Sequence, residues 1–154
     1  MTRRARIAWL VSCVLLGAAA ALPALAQHAQ YSEGPETAAL RVLDDYIAAY
    51  NARDEAAFVA TLHFPHVRIA GDRVRSFAGI AEYMRELELE KGGWDYSTWT
   101  DRRVVQSSAT KVHIAARFTR FRAGGIPVGS YDSLYVIVLR SGRWGVLARS
   151  SYAP

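Results

Sequence analysis

The sequence predicts an α+β domain: a bent antiparallel sheet with three helices on its concave face, the whole forming a cone. Three observations lead there. Apolar residues recur at helical spacing early in the chain, at Leu40, Leu43, Ile47 and Tyr50, and again at Phe77, Ile80, Tyr83, Met84 and Leu87. From Trp94 onward the pattern changes to strands separated by short polar or glycine-containing turns. Helices that precede a run of strands, instead of alternating with them, pack on one side of an antiparallel sheet.

Each element has its own signal. Pro35 suits the first turn of a helix, and Arg41, Asp44 and Asp45 fall mostly opposite its apolar side. Asn51 and Arg53 belong to a turn. Asp54 is a good N-cap for a short second helix that carries Phe58 and Leu62 and is ended by Pro65. Val67 and Ile69 form a short alternating strand, Gly71-Asp72 a tight turn, and Val74 begins the return. A third helix is expected from Ala78 to Glu90, stopped by Gly92-Gly93. Four long strands complete the meander: Trp94 to Gln106, Lys111 to Arg122, Ser130 to Arg140 and Arg143 to Tyr152. Ser107-Ser108 and Ser141-Gly142 read as hairpin turns, and Ala123 to Val128 as a longer loop.

The first 26 residues read as an address. Arg3, Arg4 and Arg6 are followed by an apolar run from Ile7 to Leu22, then Pro23 and the small pair Ala24 and Ala26. This is the layout of a signal peptide cut before Gln27, so the mature protein is expected to be exported, periplasmic or secreted, with no membrane attachment after cleavage. Leu10-Val-Ser-Cys13 loosely resembles a lipoprotein box, but the apolar run continues past it. Residues 27–35 form a flexible leader, and residues 36–154 one domain without internal repeats.

Three of the nineteen Lys and Arg lie in the address segment and none of the fourteen Asp and Glu, which leaves sixteen against fourteen and a net charge of +2. Such a balance does not point to a nucleic-acid partner. Cys13 is the only cysteine, so the mature domain has no disulfide to stabilise it and relies on its core.

The segment Tyr46-Ile-Ala-Ala-Tyr-Asn-Ala-Arg-Asp54, the following Phe58, the strand from His66 to Ile69 and the turn Gly142-Arg-Trp-Gly-Val146 resemble the nuclear transport factor 2-like superfamily. That superfamily includes SnoaL-like polyketide cyclases and ketosteroid isomerases. The resemblance spans about residues 36 to 152, supports a cystatin-like roll and points to a homodimer. It also places Tyr46 where the isomerases keep the tyrosine that donates to a developing enolate oxygen. The isomerase base would fall on Ala70, or on Ile69 with a one-residue shift, and neither can move a proton. Asp72 lies beyond, in the turn. The isomerase reaction is therefore not expected.

Other candidates come from the residues themselves. A cone holds ligands because helices do not fill its concavity, and Tyr46, Tyr50, Trp94, Tyr96 and Arg117 are the expected ligand-binding residues, with Trp99 a further aromatic. Tyr46 reads more readily as a helix tyrosine packed on the sheet with its hydroxyl satisfied. His63 and His66 flank Phe64-Pro65, and His66, titrating near ambient pH, is the candidate general base beside Tyr46. The histidines share no helix face with an acidic companion, so no metal site and no cofactor are expected. Arg103, Arg117, Arg120, Arg122, Arg140 and Arg149 are distributed over both strand faces; any that points inward needs a carboxylate partner or an anionic ligand.

Three functional classes follow. The first is a binding module for a small hydrophobic or weakly acidic molecule. The second is a SnoaL-like enzyme using acid/base chemistry on a small hydrophobic substrate. The third is an interaction domain whose outer sheet face, rich in Val112, Ile114, Val136 and Val138, pairs with a second copy or with another protein. The missing carboxylate favours the first.

Overall fold

A computed structural model of the chain describes residues 33–89 and 93–153, which lie within one compact unit, Ser32–Pro154. The expected signal peptide, residues 27–32 of the leader, Glu90 of the expected third helix and Gly92 of the helix-stopping pair lie outside the described residues. Among the described residues, no helix is long and apolar enough to cross a membrane.

Helix α1 (Pro35–Ala52) begins on the expected proline and buries Ala38, Ala39, Leu43, Tyr46 and Ala49, a stripe at three- and four-residue spacing. It ends at Arg53, which is left-handed (φ 58°) and returns its N–H to the carbonyls of Ala49 and Tyr50. Helix α2 (Glu55–Ala60) starts on Asp54, whose carboxylate accepts from Ala57 N at 2.9 Å. In so short a helix one satisfied N–H is a large share of the total, so Asp54→Ala should lower stability by about 1 kcal/mol while Asp54→Asn leaves it nearly unchanged. Urea unfolding of the two variants measures the difference.

Strand β1 (Leu62–Ala70) corrects the expected boundary: Leu62 and Pro65 belong to it, not to α2. Pairing with the last strand overrides the helical spacing of Phe58 and Leu62. Pro65, which has no N–H to donate, sits where that pairing slips, between Leu62 and Val67. Strand β2 (Arg73–Phe77) returns antiparallel through the Gly71-Asp72 turn. Helix α3 (Ile80–Leu89) begins two residues later than expected, the Ala78 N–H being met by the Glu82 carboxylate at 3.4 Å.

Strands β3 (Tyr96–Ser107), β4 (Lys111–Arg122), β5 (Ile126–Arg140) and β6 (Arg143–Ser151) form the meander. The boundaries of β4 are the expected ones. Strand β5 starts earlier than Ser130, because the loop is reduced to a single turn, Ala123–Gly125. Ser141 and Gly142 both take positive φ, 49° and 75°, as a two-residue hairpin demands. Gly145 is needed for space: a Cβ there would lie 2.8 Å from the His63 ring.

The six strands make one open sheet in the order β2-β1-β6-β5-β4-β3. It is mixed, not wholly antiparallel, because β1 and β6 run parallel. The three successive hairpins set the direction of β6, and β1 joins its free edge alongside it. Helix α1 lies against β3 to β6, α2 against β1 and α3 against β2. Between the helices and the sheet are Leu43, Phe58, Tyr83, Val112, Ile114, Tyr135, Ile137 and Val146, all fully or nearly fully buried.

One irregularity decides what the last strand presents to this core. Opposite β5, Ile137 pairs with Val146 and Val136 with Ala148, so Leu147 is an extra residue. A bulge of this kind shifts the alternation by one. Val146 is buried before it, and Arg149 and Ser151 are buried after it, opposite Tyr135 and Ser133.

Candidate ligand pocket

The concave face holds a small, half-open pocket, lined among others by Tyr46 and Tyr50 of α1, Trp99 of β3, Phe118 of β4, Tyr135 of β5 and Arg149 of β6. Helical spacing places Tyr46 and Tyr50 one turn apart on the same side, their rings 6.4 Å apart. Tyr46 also packs on Phe58 at 4.8 Å and edge-on to Tyr135 at 5.9 Å. Trp99 donates through Nε1 to Leu43 O at 3.2 Å and stands edge-on to Tyr135 at 5.7 Å. The cavity encloses about 20 Å³, room for about one water molecule.

Arg149 is the charged member of the wall. It is 6% exposed, with its guanidinium 5.1 Å from the Phe118 ring centre and 5.5 Å from that of Tyr135. Its Nη2 donates to Ser151 Oγ at 3.1 Å, while its Nε is buried without a hydrogen-bond partner. Ser151 Oγ also accepts from Ser133 Oγ at 2.9 Å and from Ala153 N at 3.2 Å. Burial works against the charge of Arg149, but the surrounding phenols, Tyr135 and Tyr46 foremost, outweigh it and raise the pKa. The group is a permanent cation. Arg120 stands nearer the solvent on the same wall, its guanidinium 5.8 Å from the Phe118 ring centre and 5.4 Å from that of Tyr131.

His66 lies deeper. Its ring is fully buried 4.8 Å from Tyr83, with Nδ1 3.3 Å from Val146 O and Nε2 buried without a partner. Burial pushes the imidazole down to about 4, the hydrogen bond to Val146 O works the other way, and the charges of Arg149 and Arg68 add to the fall. His66 is therefore neutral near pH 7 and does not titrate near ambient pH, which corrects the sequence expectation. It is not among the pocket-lining residues. Tyr83, whose own pKa burial raises, lies close to Tyr46, although its hydroxyl has no hydrogen-bond partner of standard geometry.

Tyr46 and Tyr50 thus share the pocket, and the other expected ligand-binding residues do not line it. Trp94 sits beyond Tyr50, at 4.6 Å, and bonds Ser97 Oγ at 2.9 Å. Tyr96 stacks on Phe121 at 4.7 Å. Arg117 is exposed on the outer face and paired with Asp132 at 3.1 Å, because the alternation of β4 sends Phe118 and Arg120 to the pocket wall. His63 is taken up structurally, accepting from Arg143 Nη2 at 3.0 Å and lying 3.2 Å from Val138 O through Nε2. Ile47, Leu87, Ser97 and Phe118 line the pocket without having been singled out. They are ordinary core residue types, and only their neighbours distinguish them.

The arrangement of helices and sheet recurs in solved structures. A protein of unknown function from Shewanella oneidensis MR-1, described as NTF-2 like, matches with a TM-score of 0.64 at 14% identity, over 77% of this chain and 99% of its own. A protein of unknown function with a cystatin-like fold from Nostoc punctiforme matches with a TM-score of 0.64 at 10% identity, over 77% and 90%. A ketosteroid isomerase-like protein from Erwinia carotovora atroseptica matches with a TM-score of 0.60 at 19% identity, over 76% and 95%. The fold is nuclear transport factor 2-like. No family model matches the sequence, and no curated protein does.

Within this nuclear transport factor 2-like frame, the position expected for the isomerase base can now be located. Ala70 ends β1, opposite Ser151 of β6 and in the same alternation as the buried His66 and Arg68. Ile69 has the opposite parity. Among the described residues no Asp or Glu is buried and none lines the pocket, and no group of three or more His, Cys, Asp or Glu is placed to hold a metal ion.

Proposed function

We propose that this chain is an exported binding protein for a small, largely apolar molecule, held in the concavity of the sheet and not turned over by the isomerase mechanism. The observation that carries this reading is the pocket wall: Tyr46, Tyr50, Trp99, Phe118 and Tyr135 supply an aromatic surface, with no carboxylate among its described residues. Aromatic walls with a few polar hydroxyls bind by burial and orient by hydrogen bonds. Proton abstraction beside a carbonyl needs a base within reach of the proton, and Ala70, at the expected base position, has none. The narrowness of the cavity also argues against a steroid. Export rests on the basic, apolar and small-residue pattern of residues 1–26.

Two measurements on the mature protein test the reading. A β,γ-unsaturated ketosteroid should isomerise no faster with the protein than in buffer. Phenol should quench or shift tryptophan fluorescence on binding beside Trp99, and Tyr46→Phe should weaken it several-fold through loss of one hydroxyl partner. Appreciable wild-type turnover would refute the binding-only assignment. Phenol binding unaffected by Tyr46→Phe would return that tyrosine to a packing role.

A further inference from the structure

We infer that the ligand of this pocket carries a carboxylate, which docks on Arg149 at the inner wall, with Arg120 guiding it from the rim. The inference rests on the binding reading above and names the chemistry of the ligand's head.

The argument begins with a contrast between arginines. Arg41, Arg53, Arg75, Arg102 and Arg117 each have an acidic partner: Glu33, Asp95, Glu86, Asp44 and Asp132 respectively. Arg149 is far more buried than these and has none among the described residues. What the protein gives it is one serine oxygen and two ring faces, with Nε left over. The neighbouring rings keep Arg149 charged but supply no anion, so its planar N–H fork is left incompletely satisfied. The bulge at Leu147 turns this side chain inward, where regular alternation would have buried Ala148 in its place.

Shape narrows the class of anion. A guanidinium presents its N–H groups in one plane, which matches the two coplanar oxygens of a carboxylate. The enclosed space of about 20 Å³ admits little more than one water-sized group, so a compact planar head fits better than a tetrahedral phosphate with its larger oxygen set. Tyr46 and Tyr50 line the same space. The remainder of the ligand must be slender, lying along the other lining residues, Trp99, Phe118 and Leu87 among them. Arg120, less buried than Arg149 and lining the same pocket, attracts the anion before it is desolvated.

Butyrate and its neutral isostere butyramide separate charge from shape. Titrated calorimetrically into the mature protein, butyrate should bind at least about tenfold more tightly, the gain expected of a charge-assisted pair over a neutral hydrogen bond. In the wild type, the Arg149 Nε–H resonance should move on addition of butyrate and stay in place with butyramide. Arg149→Gln should abolish the preference, and Arg149→Lys should reduce it, since an ammonium keeps the charge and loses the planar fork. Equal binding of the two compounds would overturn the carboxylate assignment and leave the pocket reading standing. Binding of neither would overturn both. If Arg149→Gln does not fold, the wild-type resonance still decides: a preference for butyrate with an unmoved Nε–H signal would place the anion elsewhere and overturn the role of Arg149.

Discussion

Phe58→Ala should destabilise the protein by about 3–5 kcal/mol, the range for deleting a buried aromatic ring. Phe58 is 2% exposed, and its ring packs against Tyr46 at 4.8 Å, Tyr50 at 5.4 Å and Tyr83 at 6.2 Å. It is the single buried residue of the six-residue α2, so its loss removes most of what fastens that helix to the core. A domain of this size has about 5–15 kcal/mol in total, and the change would consume a large part of it. Urea unfolding of Phe58→Ala and Phe58→Leu measures the effect, with the leucine variant much nearer the wild type. A loss below about 1 kcal/mol for the alanine variant would mean that the core closes over the gap and that α2 does not brace the pocket wall.

Acid should weaken the fold through His66. In the unfolded chain this imidazole takes up its proton near the ordinary value of 6.5, whereas in the folded state it does so only at about 4. Between those values the unfolded state binds more protons, so stability falls as pH is lowered through that window. The fall from this one group amounts to about 3 kcal/mol and is complete once pH drops below the folded value. His63, also lowered by burial and by Arg143, acts in the same direction. Unfolding free energies at pH 7.5, 5.5 and 4 should show the loss in the wild type and a flatter profile in His66→Asn, whose amide can still donate to Val146 O. Matching slopes in the two proteins would remove His66 as the cause.

Both predictions concern groups that surround the pocket instead of reacting in it. Phe58 packs between Tyr46 and Tyr83, and His66 stays neutral behind them, held down chiefly by burial and further by the Arg149 and Arg68 charges. An interior with a permanent cation, several phenols and no buried carboxylate among the described residues is suited to receiving negative charge. Among the described residues no carboxylate lines the pocket that could generate that charge on a bound carbon acid.

Much of the fold was readable from the chain. The spacing of Leu40, Leu43, Ile47 and Tyr50 specifies a helix, but of these only Leu43 is fully buried; the buried side is centred on Leu43, Tyr46 and Ala49, where small alanines let the helix approach the sheet. Asp54 marks the start of α2 by the one hydrogen bond its carboxylate makes, and Ser141-Gly142 marks a hairpin by the positive φ it tolerates. These are local effects, and local sequence decides them. The likeness around Tyr46 led to the fold for the same reason: it lies on elements whose order and spacing are written in the chain.

What the pocket presents was decided in three dimensions. In β4 and β5 both faces carry apolar residues, so alternation indicates which residues share a face but not which face is covered; α1 settles that, and Arg117 turns outward to Asp132 while Phe118 turns in. Leu62 is helical by spacing and a strand residue by pairing, because β6 offers it a partner, Val146, eighty-four positions along the chain. Arg149 depends on both kinds of event. Its residue type and its place in a strand are plain in the sequence, and its inward direction comes from a single extra residue opposite β5, a property of the register between two strands that neither strand carries alone.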